Sequence, residues 1–107
     1  MAKRADRIVR LSAHAREDML EIGAYLMQAE SAASAARVLG WIIAAAESLA
    51  KNALLWRERN ELFSGARVVL AHPYAVVYRV DDVIVYVVRI VHGRRDLEAL
   101  FVDEREI

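Results

Sequence analysis

Apolar residues recur through the first half of this chain at steps of three and four, the spacing of one helix face, and then give way to runs typical of strands. Residues 7–11 interleave charged and aliphatic side chains, which predicts a short first strand at or near a sheet edge. Ser12 is a candidate N-cap, and Glu17 and Asp18 suit the positive end of a helix dipole. The first helical stripe comprises Ala15, Met19, Ile22, Leu26 and Ala29, with Tyr25 beside it.

A second helix is predicted from Ser31 or Ser34, either of which can cap it, to about Asn52. Its main stripe comprises Ala35, Leu39, Ile42, Ala46, Leu49 and Ala53, and a second apolar line comprises Val38, Trp41 and Ala45. Because the break at Glu30 and Ser31 is short, we expect an antiparallel helical hairpin. A helix that is apolar over so wide an arc can cover a sheet with one side and meet a partner with the other.

The second half of the chain predicts three strands, at residues 66–71, 74–80 and 83–91. Residues 51–65 show no period and predict an ordered connection that Trp56 and Phe63 anchor to the core. His72 and Pro73 form a turn, Asp81 and Asp82 a tight reversal, and residues 97–101 a short amphipathic end. The fold class is therefore α+β, in the order β-α-α-β-β-β. We expect one domain over residues 1–107, with a mostly antiparallel sheet and the helical hairpin packed on one face.

The run from residue 83 to residue 91 has Val, Ile or Tyr at eight of its nine positions, which is typical of a central strand covered on both sides. Its ninth residue, Arg89, must be paired, reach solvent or face a functional surface. Pairing Val80 with Val83 would place Arg79 opposite Ile84, and would direct Arg89 to the other face of the sheet. A slip of one residue would exchange the two faces.

This strand leads into the one cluster that combines a titratable group with several cations, His92, Arg94, Arg95 and Asp96. In a structural interpretation, Asp96 pairs with one arginine and fixes the chain as it leaves the sheet. In a functional interpretation, the cluster is a cationic surface for phosphate or an acidic partner, and His92 can move protons near neutral pH. The residues alone leave both interpretations open.

Hydrophobic residues make up 57% of the chain and the mean hydropathy is +0.19, which indicates either apolar surface kept for a partner or a tight alanine-rich core. Fifteen basic and fifteen acidic side chains cancel, so the net charge does not favour nucleic-acid binding. Basic residues gather at the start, including Lys3 and Arg4, and acidic ones at the end: Asp103, Glu104 and Glu106.

The absence of cysteine excludes disulfides and fits a reducing cytoplasm. The amino terminus lacks the apolar core of a signal peptide, and no run approaches the roughly 18 consecutive apolar residues of a membrane span, so we expect a soluble protein. The spacing of His14, His72 and His92 supports no metal site, and no motif indicates a cofactor.

Two segments carry a family resemblance. Arg89-Ile-Val-His-Gly-Arg-Arg-Asp-Leu, preceded by Tyr74-Ala-Val-Val-Tyr-Arg-Val, and the opening Val9-Arg-Leu-Ser-Ala-His-Ala-Arg-Glu-Asp-Met-Leu-Glu-Ile resemble toxins of the RelE/ParE superfamily of bacterial type II toxin-antitoxin systems. They are most similar to the ParE branch, and the likeness covers nearly the whole chain. The family fold agrees with the predicted one.

The resemblance implies a cytoplasmic toxin that blocks DNA gyrase and is held inactive by a ParD-like antitoxin in a hetero-oligomeric complex. The implied target-binding residues are Arg79, Arg89, His92, Arg94 and Arg95. The helical hairpin offers a groove for the antitoxin, with candidates Met19, Ile22, Tyr25, Leu26, Val38, Trp41 and Ile42, all of which could equally be core.

Two alternatives stay open. The first is a RelE-like ribosome-dependent messenger ribonuclease that uses His92, Arg79, Arg89 and Arg94; the second is a non-toxic module that only binds the antitoxin. Several ribonuclease members have an aromatic residue where Gly93 follows His92, and this chain also lacks a terminal tyrosine. These departures favour the ParE branch, so we do not expect an enzyme.

Overall fold

The structure, a computed structural model, describes residues 6–102. Its elements are β1 (Ile8–Leu11), α1 (Ala13–Ala29), α2 (Ala32–Asn52), β2 (Arg67–Ala71), β3 (Tyr74–Val80), β4 (Ile84–His92) and α3 (Leu97–Leu100). The predicted α+β class and the β-α-α-β-β-β order are confirmed, with α3 as the short amphipathic end. The basic residues Lys3 and Arg4 and the acidic residues Asp103, Glu104 and Glu106 lie outside the described residues.

The four strands form one sheet in the order β1-β4-β3-β2. β1 runs parallel to β4, and the other two pairings are antiparallel. β4 is thus a central strand and β1 an edge strand, as the sequence predicted.

Serine caps set the start of both long helices. The Ser12 hydroxyl accepts a hydrogen bond from the Ala15 N–H at 3.0 Å, and Ser31, not Ser34, caps α2 by accepting from the Ser34 N–H at 3.0 Å. The helices pack closely at Gly23, where an added Cβ would lie 3.2 Å from Leu39 Cδ1. An alanine here would require the Leu39 side chain to shift by a few tenths of an ångström.

Both faces of the sheet are covered. The helical hairpin covers one face, and the core there includes Ile42, Leu49 and Tyr78, whose hydroxyl donates to the Ala53 carbonyl at 2.6 Å. Side chains alternate along a strand, so Val77 lies on the opposite face, in a second core with Leu62, Ala66 and Phe101. Trp56 packs against the first core and Phe63 against the second, where its ring lies 5.0 Å from that of Phe101. The connection before β2 and the carboxyl-terminal segment therefore cover the face that the hairpin leaves free.

The predicted β3–β4 register is wrong by two residues. Val80 pairs with Val85 and Arg79 with Tyr86, because the Asp81 carboxylate accepts hydrogen bonds from the N–H groups of Val83 (2.8 Å) and Ile84 (2.6 Å) and so lengthens the turn. A two-residue shift keeps the faces unchanged. The register then shifts again, because Tyr78 pairs with Val87 but Val77 pairs with Arg89. Val88 is the extra residue of this β-bulge.

Helix α2 is long and apolar enough to cross a membrane by length and composition, with 21 residues and a window of hydropathy 1.2. Charged residues such as Arg37 and Glu47 divide it, so it contains no long uninterrupted apolar run. The core helix of a soluble protein meets the same test. Here Ile42 and Leu49 are buried in the core that α2 shares with the sheet.

The turn at Asp81 generates a prediction about pH. Hydrogen bonds from the Ile84 and Val83 N–H groups hold the pKa of the Asp81 carboxyl below its usual 3.8. A carboxyl with a lowered pKa stabilises the folded state above the unfolded pKa and loses that effect as the pH falls through the folded pKa. Asp81→Asn should therefore lower the melting temperature at pH 7, and the difference from the wild type should vanish as the pH falls below 3.8.

Thermal unfolding followed by circular dichroism from pH 7 to pH 2 would measure this effect. Asp82→Asn is the matched control, since that neighbouring carboxylate accepts neither of the two hydrogen bonds. An Asp81→Asn difference that persists undiminished in acid would contradict the assignment.

Candidate functional site

The central strand β4 is longer than the strand beside it. β1 accompanies it only from Ile84 to Val87, and β4 continues to His92. Beyond the end of β1, Ser12 supplies the hydrogen-bond donors for this edge of β4. Its N–H donates to the Val87 carbonyl at 2.9 Å and its hydroxyl to the Val88 carbonyl at 2.9 Å. The next free group along the edge, the Ile90 N–H, donates to Asp18 Oδ2 at 2.8 Å. The start of α1 therefore completes the hydrogen bonding of this edge.

Asp18 is also the partner of Arg89. Arg89 Nε lies 2.8 Å from Asp18 Oδ2 and Nη2 lies 3.0 Å from Oδ1, a bidentate pair whose side chains are only 15% and 6% exposed. Of the three roles left open for Arg89, the paired one is correct. The sequence interpretation assigned Asp18 to the helix dipole instead, although the first turn of α1 contains no acidic residue. The position of Asp18 could have indicated that it is buried. It lies three residues after Ala15 and four before Ile22, on the apolar stripe of α1.

The turn after β4 is held by its backbone. The Gly93 N–H donates to the Pro73 carbonyl at 2.7 Å, and the Arg95 N–H to the His92 carbonyl at 2.9 Å. A Cβ at Gly93 would lie 3.1 Å from the Pro73 oxygen, so a larger residue would strain this contact. Arg94 and Arg95 are exposed on the turn thus fixed.

Two side chains of this cluster have local roles. His92 Nδ1 accepts from the Arg94 N–H at 3.1 Å, so the neutral imidazole carries its proton on Nε2 and can donate from there. Asp96 caps α3 by accepting from the Ala99 N–H at 3.2 Å. The structural interpretation, in which Asp96 pairs with an arginine, is wrong, because the Asp96 carboxylate accepts a hydrogen bond at the start of α3 instead. The functional interpretation of the cluster stays a prediction.

A pocket of about 310 Å³ lies between α1 and the end of β4. The Tyr74 ring meets His92 edge-to-face at 5.5 Å, and burial, with smaller contributions from Tyr25 and Glu30, raises the pKa of the Tyr74 hydroxyl. The residues lining the pocket are Asp18, Glu21, Ile22, Tyr25, Tyr74, Arg89, Ile90, Val91, His92 and Arg95. Three of the predicted target-binding residues thus meet there with two of the predicted antitoxin-binding residues.

The other two predicted target-binding residues lie elsewhere. Arg79 stacks on Tyr86, with its guanidinium carbon 4.5 Å from the ring centre. It lines a small cavity with Phe63 and Phe101, both of which belong to the second core, on the face opposite the hairpin. Arg94 is exposed on the turn but does not line the pocket.

The predicted antitoxin-binding residues divide by burial. Tyr25 (65% exposed) and Trp41 (51%) are available to a partner, and Met19 and Ile22 are half-buried. Leu26, Val38 and Ile42 are instead buried in the core, so their side chains do not form part of the surface. Leu20, Met27 and Ile43 are exposed apolar residues of the hairpin. The sequence prediction did not include them, because they do not lie on the helix faces that point to the core.

Within residues 6–102, no group of three His, Asp or Glu side chains could hold a metal ion. His14 and His72 are both exposed, and they belong to different parts of the chain, α1 and the β2–β3 turn. The pocket is lined by the carboxylates of Asp18 and Glu21, the rings of Tyr25, Tyr74 and His92, and the exposed Arg95.

A four-stranded mixed sheet with a helical hairpin on one face is the fold of RelE/ParE-like toxins. The chain is similar to a structure of the chromosomal ParDE toxin-antitoxin system from P. aeruginosa, with a TM-score of 0.71 and 17% identity over 80% of this chain and 95% of that one. It is also similar to a structure of the toxin-antitoxin complex RelBE2 from Mycobacterium tuberculosis, with a TM-score of 0.64 and 21% identity over 81% and 98% of the two chains. At these identities the likeness concerns the fold.

The family is shown by sequence. The model of the ParE toxin of the type II toxin-antitoxin system parDE matches residues 9–97, so this chain belongs to the ParE toxin family. A search of curated proteins gave no match.

Removing either partner of the Asp18–Arg89 pair should lower stability strongly, because the other charge would stay buried. Arg89→Met leaves a buried carboxylate without its counter-ion, and should cost about 3–5 kcal/mol of the free energy of unfolding. Asp18→Leu combined with Arg89→Met removes both charges and should recover part of that loss, the remainder being the cost of leaving the Ile90 N–H without its acceptor. Urea unfolding of the wild type, the two single variants and the double variant would measure the coupling.

Glu17→Gln is the matched control, because Glu17 is the exposed neighbour of Asp18 on the same helix. A loss of under about 1 kcal/mol for Arg89→Met, the size typical of an exposed ion pair, would contradict a buried pair.

Proposed function

We propose that this ParE-type toxin inhibits DNA gyrase through the turn formed by His92, Gly93, Arg94 and Arg95, and that a ParD-like antitoxin neutralises it. The proposal rests on the fixed backbone of this turn and on the exposure of its two arginines. Hydrogen bonds to Pro73 and within the turn fix its backbone, and the Arg94 and Arg95 side chains are exposed. Two exposed guanidinium groups on a fixed backbone suit recognition of carboxylates on a partner protein.

The geometry supports an inhibitor over a ribonuclease. Ribonuclease chemistry by His92, Arg79, Arg89 and Arg94 would need these side chains to converge on one phosphate. Arg79 instead lies on the opposite sheet face, and the guanidinium of Arg89 is bound to Asp18. We therefore infer a protein that acts by binding, with no cofactor.

The proposed antitoxin surface is formed by the exposed apolar side chains of the helical hairpin. They are Leu20, Tyr25, Met27, Trp41 and Ile43. An extended, partly helical antitoxin segment that wraps the hairpin would bury them, with Tyr25 and Trp41 as anchors. Because Ile22 and Tyr25 share a pocket with His92 and Arg95, an antitoxin bound here would lie beside the turn. The P. aeruginosa relative in fold comes from a ParDE system, which supports a ParD-like partner.

We infer that the toxin is soluble and acts in the cytoplasm, the compartment of its proposed target. The structure supports this in one respect, since the apolar stripe of α2 is buried against the sheet, as in the core helix of a soluble protein.

The target is tested by inducing the chain without antitoxin and following two signals, a DNA-damage reporter and the integrity of translated messages. We expect damage signalling with intact messages, and inhibition of supercoiling by purified gyrase. Arg94→Ala with Arg95→Ala should abolish both effects without changing stability, since both side chains are exposed.

Lys51→Ala is the control that removes an exposed cation elsewhere. Lys51 follows Ala50, which is hydrogen-bonded to Arg7 at the start of β1, and β1 begins opposite the start of β4. Lys51 is thus separated from the turn by the nine-residue length of β4, about 30 Å. Codon-positioned message cleavage would favour the ribonuclease, and a wild type without toxicity would favour a module that only binds the antitoxin.

The antitoxin surface generates a second prediction. Tyr25→Ala and Trp41→Ala should each weaken antitoxin binding by roughly 30-fold, the effect of removing an interface anchor. Titration calorimetry with the purified antitoxin would measure the loss. Leu55→Ala is the control, because Leu55 is equally apolar and exposed but follows the hairpin in the connection. Unchanged affinity in both variants would place the interface elsewhere.

A further inference from the structure

Asp18 binds two consecutive residues of β4 with a single carboxylate. Oδ2 accepts from Arg89 Nε and from the Ile90 N–H, both at 2.8 Å, and Oδ1 accepts from Arg89 Nη2 at 3.0 Å. We propose that Asp18 is a positioning residue: it fixes the register of the end of β4 and thereby holds the turn after His92 in the shape that acts on the target. The inference rests on the proposed function in taking this turn as the target-binding element.

The β-bulge makes such a device necessary. Val88 is inserted between two regular stretches of β3–β4 pairing, so the strand after it is displaced by one residue relative to the strand before it. On its other side β4 is no longer paired with β1 beyond Val87. Beyond the bulge the register is thus specified by β3 alone, unless another element contributes. Asp18 helps to specify the register of β4. Its carboxylate can bind both the Arg89 side chain and the Ile90 N–H in only one register.

The register at Ile90 decides the orientation of His92, two residues further on. Successive side chains in a strand point to opposite faces, so a one-residue displacement would turn His92 away from the pocket. His92 is the first member of the turn: its Nδ1 accepts from the Arg94 N–H and its carbonyl from the Arg95 N–H. The positions of both exposed arginines therefore depend on the placement of His92.

Stability alone gives no reason for a charged pair at this position. Asp18 lies on a helix stripe whose neighbours Ala15 and Ile22 are apolar, and buried ion pairs can often be replaced by apolar residues without loss of stability. What an apolar pair cannot supply is an acceptor for the Ile90 N–H or a geometric requirement for Arg89. The best-attested role of such buried polar groups is to specify register.

The test compares Asp18→Asn with Leu49→Ala. Asp18→Asn keeps the shape of the side chain and leaves Arg89 in place. It therefore separates the role of Asp18 from any direct contact of Arg89 with the target. Leu49→Ala destabilises the fold from α2, where Leu49 is fully buried in the first core. Glu17→Gln controls for the loss of one negative charge on α1. Growth arrest is measured against the amount of soluble toxin at graded induction, and amide hydrogen exchange is measured on the purified variants.

We expect Asp18→Asn to need roughly tenfold more soluble toxin for the same growth arrest, the size of a typical coupling between two sites. The Gly93 and Arg95 amides should exchange faster, relative to Val77 in the β3 core, than in the wild type. Leu49→Ala should arrest growth at the wild-type level of soluble toxin and speed exchange throughout the sheet. The double variant Asp18→Leu with Arg89→Met should be more stable than the single variant Arg89→Met, yet as weak a toxin as Asp18→Asn, because the Ile90 N–H has lost its acceptor.

The inference is wrong if Asp18→Asn is fully potent per soluble molecule, or if its turn amides keep wild-type exchange. It is also wrong if Leu49→Ala loses as much potency as Asp18→Asn, because the loss then follows stability. Failure of the proposed target has a different signature. A wild type that arrests growth without inhibiting gyrase would overturn the target, and the growth comparison would still decide the role of Asp18.

Discussion

The difference in length between β4 and β1 is the constraint on which the rest of this structure depends. β4 has nine residues and β1 has four, so the second half of β4 has a free edge next to the helical hairpin. Backbone groups buried at such an edge need partners, and Ser12 and Asp18 provide them. The same carboxylate neutralises Arg89, so α1 is tied to β4 at one buried point.

The surplus of hydrophobic residues has two explanations, and the structure contains both. Small alanines such as Ala35, Ala46 and Ala66 are buried where helices and strands approach closely, which accounts for part of the surplus as a tight core. The rest is exposed, at Leu20, Tyr25 and Trp41 on the hairpin and also elsewhere, for example at Leu55 and Leu70. The exposed apolar residues of the hairpin are the ones assigned to the proposed antitoxin surface.

The arginines differ in role more than their similar settings in the sequence indicate. Arg79 and Arg89 both lie within apolar strands, yet one stacks on Tyr86 beside the second core and the other is paired in the first. Arg94 and Arg95 follow a strand end and are exposed. Arg79 is exposed as well, but only Arg94 and Arg95 lie on the turn whose backbone is hydrogen-bonded to Pro73.

The sequence by itself determined the order of elements, the cap of α1 and the central position of β4, and it left Ser31 and Ser34 as alternative caps of α2. These features depend on residue type and on the spacing of apolar residues along the chain, so they can be predicted directly from the sequence. It also singled out Arg89, because a charge in an apolar strand must be paired, reach solvent or face a functional surface. Only the tertiary structure decided that the partner is Asp18, 71 residues away. Register, the bulge at Val88 and the burial of Leu26, Val38 and Ile42 were likewise decided there, because each depends on which surfaces meet when distant segments pack together.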